Sequence, residues 1–348
     1  IGKSKLSEDS AFWYQSGNYQ PIVSVDFDVT REVIRSPLNM KTVAGGYIQV
    51  QKYGKTNAPP LAGAVYAIFR ESDGVKVDEV TTGTDGRALS KVLPEDTYSL
   101  REMTAPDGYL VDSTLKTGVE VSAYLTTPVN FFNDVPVGVI RIQKTNSNIS
   151  MGDYSLEGAR FTVYNSSSSA VATIVTDENG YGESSQLPLG TYTFRETQAP
   201  FGFVNNVKLF TANLTYVDQY TPIVYKDFTV GNAPQYGYIF IYKRNANPIL
   251  GSYSLKGAKF VVKNSEGTVV KTLTTDYSGT AYSTFPLGEY TVQEIQAPFG
   301  YVLDDTEYPA NLVYNGCLST YITREVNVPN APQYGLITIE KRDIETEN

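Results

Sequence analysis

The chain has 348 residues, with 28 lysines and arginines against 37 aspartates and glutamates, a net charge of −9, no histidine and one cysteine. That acidic balance excludes a binder that neutralises nucleic-acid phosphates. The missing histidines and lone Cys317 exclude Ser-His-Asp and Cys-His catalysis, histidine-ligated metals, CxxC redox chemistry and any disulfide within one chain.

At 41% hydrophobic residues the chain can build cores, and at ~100–200 residues per domain its length predicts two or three of them. No apolar run reaches the ~20 residues of a membrane span, and no signal-peptide pattern is present. Residues 1–45 hold one alternating stretch, Val23, Val25, Phe27 and Val29, which reads as a half-buried strand. This segment is expected to be the end of a preceding domain or a docking arm. Trp13, the single tryptophan, reads as core of a small N-terminal unit or as an anchor in a partner's groove.

From residue 46 the sequence repeats itself three times. Each repeat opens on an alternating strand ending in lysine: Ile48, Val50, Lys52; then Ile140, Ile142, Lys144; then Ile239, Ile241, Lys243. Next come Leu61-Ala-Gly-Ala-Val-Tyr66, Leu156-Glu-Gly-Ala-Arg-Phe161 and Leu255-Lys-Gly-Ala-Lys-Phe260. Turns follow at Asp85-Gly86, Asn179-Gly180 and Ser278-Gly279, a pattern that supplies positive φ. A strand carrying Glu102, Glu196 or Glu294 then runs into Ala-Pro-x-Gly and an aromatic residue, Tyr109, Phe203 or Tyr301. Each repeat closes on an asparagine, Asn133, Asn232 or Asn330.

The glutamates lie 94 and 98 residues apart, too far for a solenoid, so each repeat is expected to be a whole domain. Short alternating segments, frequent turn signals and no helical period predict an all-β chain of elongated, tandem β-sandwiches. The expected units are 46–135, 136–234 and 235–332. Residues 333–348 copy only a first strand, Gly335-Leu-Ile-Thr-Ile-Glu-Lys341. The unmatched ends predict either a piece cut from a longer array or ends that pair with neighbouring molecules.

Residues two apart on a strand share a face. By that rule Lys52, Lys144 and Lys243 point inward with their isoleucines and valines. Glu102 follows Tyr98 and Leu100, Glu196 follows Tyr192 and Phe194, and Glu294 follows Tyr290 and Val292. Asn133, Asn232 and Asn330 each follow two apolar residues in the same way. Every repeat therefore turns one lysine, one glutamate and one asparagine toward its core.

Burying such charges costs several kcal/mol per ion unless they are paired. One reading is an ordinary buried ion pair with asparagine filling hydrogen bonds, or lysines that snorkel outward. The other is chemical. A dry site lowers the pKa of a lysine and raises that of a carboxylic acid. A neutral amine is a nucleophile, and a neutral carboxylic acid can donate a hydrogen bond to the asparagine carbonyl. Attack on the amide carbon with loss of ammonia would join the two side chains by an isopeptide bond.

In this combination and order the motifs resemble the collagen-adhesin B-type (Cna-B, prealbumin-like) repeats of Gram-positive surface proteins and pilins, over about residues 46–332. The resemblance implies Greek-key, immunoglobulin-like sandwiches and self-formed bonds Lys52–Asn133, Lys144–Asn232 and Lys243–Asn330. Glu102, Glu196 and Glu294 would be the respective proton-shuttling catalysts. Asn130 competes with Asn133 as partner in the first repeat. Lys341 carries the nucleophile's pattern and is a candidate for an intermolecular bond.

The expected function is a structural protein of the bacterial cell surface, a stalk or filament subunit with head-to-tail neighbours and no cofactor. The alternative is an adhesin for a host protein or glycan. An enzyme acting on a separate substrate is not expected. Cys317 reads as a small loop or strand residue, with an intermolecular disulfide as its alternative.

Overall fold

Alternation through a polar residue defines the first strand of each unit. In the computed structural model, which describes residues 44–341, Gly45–Gly54 alternates between half-buried and buried positions along its whole length, Lys52 included. The stretch at Val23–Val29 and Trp13 lie outside the described residues.

Three β-sandwiches follow one another. In the first, Gly45–Gly54 pairs antiparallel with Arg87–Leu89 and Leu93–Pro94, and parallel with the last strand, Thr126–Asn133. The facing sheet holds Lys76–Thr81, Val65–Arg70, Asp96–Thr104 and Lys116–Val121, in that order. The second sandwich repeats the plan around Val137–Asn146 and its parallel partner Ile223–Asn232. The third does so around Tyr236–Asn245 and Tyr321–Asn330.

Each pair of sheets closes on its own apolar cluster. Ile48, Val50, Tyr66, Ile68, Tyr98, Leu100 and Val129 belong to the first. Ile140, Ile142, Phe161, Phe194 and Val230 belong to the second, and Ile239, Ile241, Phe260, Val292 and Val328 to the third. Burying one such side chain is worth about 1.5–3 kcal/mol, so each unit has a core of its own.

The parallel pairing of first and last strands has a geometric consequence. The chain enters each sandwich at one pole and leaves at the other, so the three units run end to end. Beyond the third, Gly335–Lys341 forms no strand, and Leu336, Ile337 and Ile339 are 91%, 86% and 87% exposed. Its sequence copies a first strand, but among the described residues no last strand lies beside it.

Candidate functional site

The lysine is fixed first through its backbone. Lys52, Lys144 and Lys243 donate their amides to Gly86, Gly180 and Gly279 at 2.8, 2.7 and 2.8 Å. Gly86 has φ +74°, and a Cβ there would lie 2.6 Å from the Lys52 carbonyl oxygen. Only glycine meets both demands without strain, so the turn predicted from sequence also seats the lysine's strand.

The glutamate comes from the opposite sheet, at a bulge. Glu102 pairs with Tyr66, Glu196 with Phe161 and Glu294 with Phe260, each at a register shift. Bulges re-aim side chains and recur beside reactive sites. The asparagine is the final residue of the last strand, two positions beyond the lysine's ladder partner: Lys52 pairs with Phe131, Lys144 with Val230 and Lys243 with Val328. Same-face geometry then brings lysine and asparagine together.

All nine residues are buried, and the three lysines are 0% exposed. Each lysine Nζ donates to the Oδ1 of its asparagine: Lys52 to Asn133, Lys144 to Asn232 and Lys243 to Asn330. Nζ also lies 3.0, 3.2 and 2.9 Å from Oε1 of Glu102, Glu196 and Glu294. The asparagine Nδ2 donates to the same carboxylate at 2.9, 2.7 and 2.7 Å. Each set is a closed triangle.

Here the structure differs from the expected arrangement, in which glutamate donates to the asparagine carbonyl. An ammonium group has no lone pair, so it must face an oxygen, and this turns the amide nitrogen toward the carboxylate. The glutamate therefore stands beside the group that would leave.

A backbone amide steadies the carboxylate from behind. Asp112, Asn206 and Asp304, ten residues after each glutamate, donate to Oε2 at 2.8, 2.6 and 3.1 Å. Sequence reasoning missed these donors, because a backbone N–H leaves no side-chain signature. The constant offset of ten was the visible clue. The sets differ at Oε1. In the first sandwich the Tyr66 hydroxyl donates to Glu102 at 3.3 Å. Glu196 and Glu294 face Phe161 and Phe260 instead, and their Oε1 atoms make no hydrogen bond. The nearby lysine is then their main electrostatic counterpart, in contact without good hydrogen-bond alignment.

Burial pushes all three lysines below their ordinary pKa, and the adjacent glutamate partly opposes the shift. Rings line the ammonium: Nζ lies 5.6 Å from the Tyr66 ring centre, 5.8 Å from Phe161 and 5.7 Å from Phe260. These are the surroundings in which a lysine gives up its proton most readily.

The other singled-out residues lie apart from the triangles. Asn130 and Lys341 are exposed. Cys317 is a half-buried free thiol, and its carbonyl accepts the Asn205 amide at 2.8 Å. Among the described residues no group of His, Cys, Asp and Glu is arranged to hold a metal, and no helix is long and apolar enough to cross a membrane.

Comparison with known proteins gives a consistent assignment. Segments 46–134, 138–227 and 246–327, more than half of the chain, match the SpaA family model, described as a prealbumin-like fold domain. The Bacillus anthracis TIE protein is 29% identical with a TM-score of 0.63, over 82% of this chain and 51% of that one. The collagen adhesin of Staphylococcus aureus is 25% identical over 115 residues, 32% of this chain and 10% of the adhesin. BcpA, the major pilin subunit of Bacillus cereus, is 17% identical with a TM-score of 0.35, over 83% of this chain and 99% of that one. The chain thus spans about half of the TIE protein and a tenth of the adhesin.

Proposed function

Because the chain belongs to the SpaA family of prealbumin-like fold domains, we propose that it is a load-bearing part of a Gram-positive surface protein, either stalk or pilus-type subunit. Each sandwich locks itself with one isopeptide bond. The bonds are Lys52–Asn133, Lys144–Asn232 and Lys243–Asn330, with Glu102, Glu196 and Glu294 moving the protons.

The reaction balances without a cofactor. A proton passes from the lysine ammonium to the glutamate carboxylate, which frees the amine lone pair. The amine attacks the asparagine side-chain carbon, and a C–N bond forms. Glutamate returns its proton to the departing Nδ2 as the old C–N bond breaks, and it takes the surplus proton from the attacking nitrogen. Ammonia is released. The glutamate contact to Nδ2 supports this order, because it puts the proton donor at the leaving group. Each site turns over once, on itself.

The observation that carries the proposal is the threefold recurrence of the same buried triangle. An ordinary buried ion pair contributes little net stability, and nothing in a packing role requires asparagine at the same corner each time. The mechanical benefit follows from topology. Tension enters along the first strand, crosses the bond and leaves from the last residue of the last strand. In the first sandwich, residues 53–132 are then bypassed.

Proteolysis followed by fragment mass spectrometry tests the proposal. A branched peptide joining the Lys144 and Asn232 segments, short of one ammonia, is expected. Recovery of the two as separate, unmodified peptides would overturn it.

A further inference from the structure

The first sandwich takes part of its reactive site from the second. Glu102 and the Asp112 amide behind it are joined by a loop that starts at Ala105 and ends at Val111. Ala105 is buried, and a buried amide needs an acceptor. That acceptor comes from the next unit. Gln219, in the loop 215–222 ahead of Ile223–Asn232, accepts the Ala105 amide on its side-chain oxygen at 2.7 Å. The Gln219 carbonyl accepts the Val111 amide at 3.0 Å. One residue of the second sandwich thus clamps both ends of the loop that sets Glu102.

Gln219 is itself held in place. Its Nε2 donates to the Tyr220 hydroxyl at 2.8 Å. Asp218 Oδ1 accepts the Tyr220 amide at 2.8 Å and the Thr221 hydroxyl at 2.9 Å, which shapes the turn on either side. From the same loop the Tyr216 hydroxyl donates to the Tyr109 carbonyl at 3.3 Å, inside the clamped segment.

The second sandwich meets the same need from within. Ala199 and Asn205 stand at the positions of Ala105 and Val111, three and nine residues after the glutamate. The Ala199 amide donates to the side chain of Asn205. The third sandwich touches this segment too, because the Asn205 amide donates to the Cys317 carbonyl at 2.8 Å. Yet the Ala199 amide does not depend on that neighbour. A valine side chain at 111 has no acceptor to offer, so Ala105 does.

We infer that Gln219 is a positioning residue for Glu102, so that the Lys52–Asn133 bond forms readily only once the second sandwich has folded and docked. The inference rests on the cross-link reading. Glu102 must meet Lys52 Nζ and Asn133 Nδ2 together, and a misplacement of ~1 Å in such a site can cost about a hundredfold in rate. Without the Gln219 side chain the Leu110 amide still reaches the Asp134 carbonyl at 2.9 Å. The Ala105 amide, however, is buried with no acceptor, and the start of the loop comes loose.

The test times bond formation in full-length chains made by pulse-labelled cell-free synthesis, quenched in denaturant, digested and read by mass spectrometry. The branched Lys144–Asn232 peptide is the clock within the same molecules. In Gln219→Ala the first bond is expected to form at least tenfold more slowly relative to the second. Adding Val111→Asn is expected to restore it, since the new amide would act as Asn205 does in the second sandwich. A first bond that keeps the parent's rate in Gln219→Ala would overturn the inference, and so would failure of Val111→Asn to rescue it. A lower stability alone does not slow the bond while the sandwich stays mostly folded. Exchange at the Ile48 and Leu100 amides checks this in an Asn133→Ala background, where that bond cannot form. They are expected to stay protected when Gln219→Ala is added; loss of their protection would make Gln219 merely structural and overturn its positioning role. Parent chains that form no bond at any site would overturn the cross-link reading itself, a result distinct from a normal second bond beside an unaffected first.

Discussion

Replacing both charges of the middle site, Lys144→Met with Glu196→Gln, separates a cross-linked core from an ion-paired one by the sign of the stability change. If the bond exists, wild type carries a neutral amide, and the variant loses a closure spanning 88 residues. On the chain-entropy model that closure is worth about 4–5 kcal/mol. If no bond exists, wild type carries a buried ion pair, and its replacement by neutral groups of similar size is neutral or stabilises by about 1–4 kcal/mol. Native-state hydrogen exchange reads one sandwich at a time, with the first and third as internal controls. Amides of Ile142, Phe161 and Phe194, all in the middle core, should exchange roughly a thousandfold faster in the variant. Exchange at or below the wild-type rate, with the outer sandwiches unchanged, would refute the reasoning.

Other expectations follow from the same geometry. Asn232→Ala leaves Lys144 unbonded with its pKa lowered by burial, so between that lowered value and 10.5 the unfolded chain binds more protons than the folded one. Denaturant stability of this variant should therefore rise with pH across that window, while wild type shows no such rise from this site; a flat profile in the variant would contradict the burial argument. Gly86→Ala forces positive φ on alanine, worth about 1–2 kcal/mol, and pushes on the Lys52 carbonyl. It should lower the melting temperature of the first sandwich and leave part of the population uncross-linked by mass. Tyr66→Phe removes one hydrogen bond to Glu102, worth about 0.5–1.5 kcal/mol. It should still form its bond, because Phe161 and Phe260 occupy that place in the other two sites. Uncross-linked first sandwich in this variant would assign the hydroxyl a larger role.

Much of the site was legible because a strand's period of two is rigid. Once Ile48 and Val50 were inward, Lys52 had to be, and the same logic brought Glu102 and Asn133 to that core. The turn at Gly86 was legible for a similar reason, since positive φ restricts the residue. What pairing adds was not. The bulge that sets Glu102 opposite Tyr66, the Asp112 amide behind the carboxylate, and the orientation of the Asn133 amide depend on strands distant in sequence. Cys317 reads differently for the same reason, since its carbonyl accepts the Asn205 amide of the preceding sandwich.

The claim that each sandwich bonds its own first strand to its last is tested most directly by the intact mass of the denatured chain. The account predicts a mass lower than that of the unmodified sequence by three ammonia molecules, with the deficit reduced to two in Glu196→Ala. A mass equal to that of the unmodified sequence would leave three ordinary buried polar networks and contradict the proposed function.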